Sequence, residues 1–147
     1  MIALRLVRLI EDHSEEIAES LMRTFQSSSR TKDLSKVPAE ELHARIREIL
    51  QHLSEWLLTK TEIDIEKRYT ELGARRAAQD VAVADLCWGF VMIKEQLWDF
   101  LARQGFLQGP LEIYGELELL RLLDQFFDRA ICYSAEGYAR VEAGRAA

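Results

Sequence analysis

Seven glycines and two prolines in 147 residues leave few break points, and a chain so poor in turn formers favours long helices over a strand-and-turn fold. No apolar run approaches the roughly 20 residues a membrane-spanning helix needs. Basic charge is in deficit: 19 Lys and Arg stand against 25 Asp and Glu, a net charge of −6, with a pI near 5.2. A nucleic-acid partner calls for a basic face and an anionic membrane surface for a polybasic segment, so neither is expected. The N-terminal stretch MIALRLVRLIEDHSEE is interrupted by Arg5, Arg8 and an acidic cluster, unlike a secretory signal. The two cysteines, Cys87 and Cys132, lie far apart in apolar helical contexts. They read as buried, reduced thiols, which points to the cytoplasm.

Chemistry-bearing motifs are equally scarce. Haem would need a proximal histidine facing a cavity, and the three histidines are His13, His43 and His52. His43 and His52 are nine residues apart, about 180° around a helix, and so cannot share a metal. His13 sits at the edge of an apolar stripe, where a satisfied core-edge histidine is the simpler reading. There is no G-x-S-x-G, no Cys–His neighbourhood and no Gly-rich phosphate loop. The expectation is a non-enzyme without cofactor or metal; a haem-binding sensor stands as the least favoured alternative.

What the chain does contain is helical periodicity. Hydrophobic content of 48% with 30% charged residues suits one folded domain spanning residues 1–147. Ala3, Val7, Ile10, Ser14, Ile17, Leu21 and Phe25 form one stripe of a helix over residues 3–26. The segment 27–33, SSSRTKD, reads as a polar connector. Pro38 opens a second helix, with Glu40 and Glu41 at its positive end and Leu42, Ile46, Ile49, Leu50, Leu53, Trp56 and Leu57 as its buried face. Thr61 and Asp64 have capping-box spacing, predicting a break near Lys60 and a third helix over 62–78. Asp80 to Val83 forms a short non-helical joint. A fourth helix over 83–104 carries Leu86, Phe90, Ile93, Leu97 and Leu101 on one line, and Gly105 and Gly109-Pro110 end it. A fifth runs from about Leu111 to at least Val141.

Three features invite function. Arg76 continues the apolar line of Ile65, Tyr69 and Leu72, so it meets a partner acid or an anionic ligand, or reaches water along its stem. With Tyr69, Trp88 and Trp98 it forms a candidate pocket for a small molecule or lipid. Gly73, with Ala74, Ala77 and Ala78, marks a patch of small residues suited to close approach by a neighbouring helix. On the last helix, Leu120, Leu123, Phe127, Ala130, Ser134 and Val141 alternate by heptad-like steps. Beside them Leu119, Leu122, Phe126 and Tyr133 form a second line. Two adjacent stripes exceed what one side of a bundle requires, so the seam is expected to join two copies in a homodimer. No stop signal precedes Val141, a pattern that suits a signalling helix continuing into a further module and equally a natural terminus.

The order Leu72-Gly73-x-x-Arg76-Ala77, a short joint, Val83-x-Asp85-Leu86-x-Trp88 and then Leu97-Trp98 resembles the RsbRD-type N-terminal domain. That family stands at the front of stressosome co-antagonists, sensor histidine kinases and related bacterial regulators. The likeness is densest over residues 65–101. Where the family joint often carries Gly and Pro, this chain has Asp80 and Ala82; Asp tolerates the left-handed backbone that Gly would supply. The resemblance implies an all-α, globin-like or helical-bundle sensor module of about five helices that binds no haem. It would dimerise and relay a signal through its C-terminal helix to an output domain or regulatory protein. It brings no catalytic residue with it.

Overall fold

The computed structural model describes residues 2–104 and 110–146. They form six α-helices: α1 (Ile2–Asp12), α2 (Ser14–Ser27), α3 (Ala39–Gln51), α4 (Glu62–Ala78), α5 (Val83–Arg103) and α6 (Pro110–Ala146). A 3-10 segment, Ser29–Lys36, joins α2 to α3, and a single π-helical turn, Glu55–Thr59, follows α3. No strand occurs among the described residues. The all-α expectation holds, with eight helical segments rather than about five. The helix stop expected at Gly105 and the turn at Gly109 lie outside the described residues.

Two of the extra segments arise where an unbroken apolar stripe hides a local break, and the third is the connector after α2. The first helix divides at His13, whose backbone opens to φ −108° and ψ 18°. Its ring Nδ1 lies 2.9 Å from the Leu9 carbonyl oxygen. The stripe nonetheless stays buried from Ala3 through Ile10 and Ile17 to Phe25. The polar connector is itself helical. Ser28 accepts a bond from the Arg30 N–H, and Thr31 donates its hydroxyl to the Phe25 carbonyl at 2.9 Å. Thr31 and Leu34 are both buried. Pro38 stands one position before α3, in an extended conformation. Beyond Gln51 the chain rewinds into the π turn, closed by the Lys60 N–H on the Glu55 carbonyl. Thr61 and Asp64 then make both bonds of the capping box, at 3.2 and 2.9 Å.

With 37 residues, α6 is about 55 Å long at 1.5 Å per residue, and it contacts α4, α1 and α5. Its closest neighbour is α4, because glycine removes a side chain at both contact points. A Cβ on Gly73 would stand 1.9 Å from the Ser134 carbonyl oxygen, and one on Gly137 2.0 Å from that of Thr70. This corrects the expected dimer seam. Leu123, Phe127, Ala130 and Ser134 are buried inside the protomer, leaving only Leu120 and Val141 half-buried. The small residues of α4 let α6 settle deeply enough to spend that seam on its own chain. Apolar residues exposed on α6 lie elsewhere, at Ile113, Tyr114 and Leu117.

The cysteines also depart from expectation: Cys87 is half-buried and Cys132 exposed. An aromatic cluster fills the centre. Tyr69 meets Trp56, Phe90 and Phe126 at centroid distances of 5.6, 5.8 and 5.6 Å, edge-on as ring quadrupoles favour. The side of α5 away from the Leu86–Leu101 line is partly covered: Leu34 of the 3-10 segment lies over Gly89, and Gln96 donates to the Ser20 hydroxyl of α2.

Candidate functional site

Three parts of the chain converge on the joint between α4 and α5, residues 79–82. Asp80 has φ of 60°, the left-handed conformation that Asp enters more readily than most side chains. The 3-10 segment straps the joint down. Asp33 accepts from the Ala82 N–H at 2.9 Å, while its own N–H donates to Asp85 Oδ2 at 2.8 Å. Lys36 Nζ donates to the Asp80 carbonyl at 2.9 Å. From α6, the Tyr138 hydroxyl donates to the Val81 carbonyl at 2.7 Å, and Arg145 reaches the Asp80 carboxylate at 3.2 Å. From α4, the Arg76 carbonyl accepts the Val81 N–H. The Ala82 N–H, helped by Lys36, holds the Asp33 carboxyl below its ordinary value.

Arg76 anchors the same region from below. It is 2% exposed, and of the three arrangements open to it the one found is a partner acid, Glu41 of α3. Arg76 Nη1 donates to Glu41 Oε2 at 2.6 Å and to Gln79 Oε1 at 2.9 Å. Gln79 Nε2 donates to the same Glu41 oxygen at 2.9 Å, and Arg75 binds Oε1. The Arg75 bond, with those of Gln79 and Arg76, lowers the Glu41 carboxyl to about 2 against the opposing cost of burial. Burial in turn lowers Arg76. This arrangement neutralises a buried cation and pins α3 to the end of α4; it offers no nucleophile or proton relay.

The four residues proposed as one pocket do not share one. Tyr69 is enclosed in the aromatic cluster, where burial raises its hydroxyl well above the usual range. Trp88 is half-buried with the Arg30 guanidinium 4.0 Å above its ring, a cation–π contact that binds the strap to α5. Trp98 is half-buried on α5. Arg76 alone of the four lines the cavity of about 40 Å³ formed between α2, α3, α4, α5 and the strap. Among the histidines, His43 Nε2 lies 3.2 Å from Glu15. Although Glu40 and His43 stand at Glu-x-x-His spacing, no group of three metal-ligating side chains gathers among the described residues. No helix there is long and apolar enough to cross a membrane.

A family model described as the RsbT co-antagonist protein rsbRD N-terminal domain matches residues 15–147. The chain belongs to this family. The match extends well past the stretch 65–101 that carried the resemblance, taking in nearly all of α2, the strap, α3 and the whole of α6. No curated protein and no solved structure matches the chain. As an RsbRD N-terminal domain it falls among stressosome-related signalling modules, and the convergence at the joint acquires a context. Sequence reading found Arg76 and the joint but missed Glu41, Asp33, Tyr138 and Arg145. Each lies on a helix face or connector that looks merely solvated, and only the fold brings them to one place.

Proposed function

We propose that this RsbRD N-terminal domain is a non-catalytic signalling input module, one domain over residues 1–147, working in the cytoplasm. It passes a change in its strap and joint to α6, and through α6 to an output domain or a regulatory protein. The observation that carries this reading is the double tether of α6 to the joint, through Tyr138 on Val81 and Arg145 on Asp80. A rearrangement of the joint therefore moves the last turns of α6. Packed helices shift between discrete arrangements rather than deforming continuously, and a left-handed Asp80 is a natural hinge between two of them.

Dimerisation belongs to the same reading, on a face different from the heptad seam. Ile113, Tyr114 and Leu117 are 46%, 76% and 57% exposed on one side of α6. Glu116, Glu118 and Arg121 flank them, so an antiparallel pair of α6 helices would set opposite charges across a shared apolar strip. Sedimentation equilibrium should report a dimer, and a monomer at high concentration would count against that part. The relay is tested by fusing the domain to a reporter output whose activity it controls. Tyr138→Phe removes the bond to Val81 with little change in packing, and should shift the reporter's basal output at least twofold. An unaltered output would remove the tether from the mechanism.

A further inference from the structure

An open groove of about 610 Å³ runs between α2, the strap and α3. The residues lining it include two cations, Lys32 and Lys36, and no acid, with Asp33 just outside it 3.4 Å from Lys36, in a chain whose net charge is −6. Three side chains of the groove, Phe25, Leu34 and Leu42, are also walls of the 40 Å³ cavity in front of Arg76. The two spaces are therefore neighbours that share apolar walls, the smaller one lying on the inner side toward Arg76. The inner one is lined by carbon apart from two arginines, and Arg76 Nη1 is already committed to Glu41 and Gln79. A water occupies about 30 Å³ and needs two to four polar partners, so this chamber has room for one but little to hold it. Walls around such a void forfeit dispersion contacts that the end of an apolar chain would restore.

We infer that groove and cavity together form a binding site for an anionic amphiphile. Its tail passes between Phe25, Leu34 and Leu42 into the inner chamber, and its carboxylate rests beside Lys32 and Lys36. The lining chooses an apolar tail, the lysines choose the sign of the head, and the combined volume falls within the roughly 300–1,000 Å³ of small-molecule sites. Occupancy also has a route onward. Leu34 must yield to admit the tail, and a carboxylate drawing on Lys36 competes with the Asp33 carboxylate and the Asp80 carbonyl that Lys36 now holds. That onward step rests on the relay reading above; binding does not.

Calorimetric titration of the full chain with octanoate and decanoate, below micelle concentrations, tests the site, with decyltrimethylammonium as the charge-reversed probe. Saturable one-to-one binding of decanoate is expected, with the ammonium probe at least tenfold weaker. Gly89→Ala is the discriminating variant. Its Cβ would stand 3.4 Å from Leu34 Cδ1, close to ordinary contact, while taking space from the inner chamber. It should melt no lower than the parent and bind decanoate at least fivefold more weakly. Lys32→Glu should weaken decanoate to a similar degree. No saturable heat with either carboxylate, or equal affinity for the ammonium probe, overturns the site. Unchanged affinity in both variants overturns its placement. If decanoate binds as expected while Tyr138→Phe leaves the reporter unaltered, the site stands and the relay falls, so the two fail separately.

Discussion

Glu41 holds three donors at once, from Arg75, Arg76 and Gln79, and the fold depends on its charge. Because its carboxyl is lowered to about 2 in the native protein, it contributes stability that is present above its unfolded value of about 4.5 and is lost as pH falls through the native one. The Arg75 side of the cluster is open to solvent, which trims the contribution to on the order of 1–2 kcal/mol. Urea titrations should therefore show stability falling between about pH 5 and pH 2 in the parent and less steeply in Glu41→Gln. Glu41→Ala leaves the Arg76 charge buried with only Gln79 beside it, and should cost about 3 kcal/mol at neutral pH. Arg76 was readable because a charge on an apolar line contradicts its surroundings. Glu41 was not: on α3 it stands among Glu40, Arg45, Arg47 and Glu48, where one more acid looks like solvated surface.

Between elements, the α4–α6 crossing sets the architecture. With carbonyl oxygens 1.9 and 2.0 Å from where Cβ atoms would lie at Gly73 and Gly137, Gly73→Ala or Gly137→Ala must force the helices apart. Either should lower stability by more than about 3 kcal/mol or prevent folding, a loss typical of overpacked cores at its upper end. Gly144→Ala meets nothing within 4 Å on the same helix and should raise stability by up to about 1 kcal/mol through helix propensity alone; thermal melts compare the three. The glycine–alanine patch announced a close approach, since a helical glycine is retained for a packing reason. The breaks at His13 and at the π turn were not announced, because the apolar period runs through them and a stripe does not register a change of hydrogen-bonding pattern; the connector after α2 was announced, but not that it winds into a 3-10 helix. Asp80 was foreseen as a tolerable left-handed residue, and its φ of 60° agrees.

For the molecule as a whole, surfaces matter more than stripes. Leu117 is 57% exposed and Leu123 wholly buried, although both are leucines of one helix. Leu117→Asp should leave the circular dichroism and melting of the protein unchanged while dissociating the proposed dimer. Leu123→Asp should unfold it, because a carboxylate there would be buried without a partner. Size-exclusion chromatography with light scattering, read beside a thermal melt, separates the outcomes.

Composition, charge and the 3.6-residue period were enough to establish an all-helical chain, where most helices lie, which positions are apolar and, through one motif, the family. These are matters of local order: each can be stated for a helix considered alone. Which surface covers which is a different kind of question, answered only when backbone meets backbone. The seam on α6 could have served a second copy as well as its own α4, since oily side chains carry no address. Two glycines that let the helices touch assigned it inward, and in the same movement drew the strap, the joint and the end of α6 together.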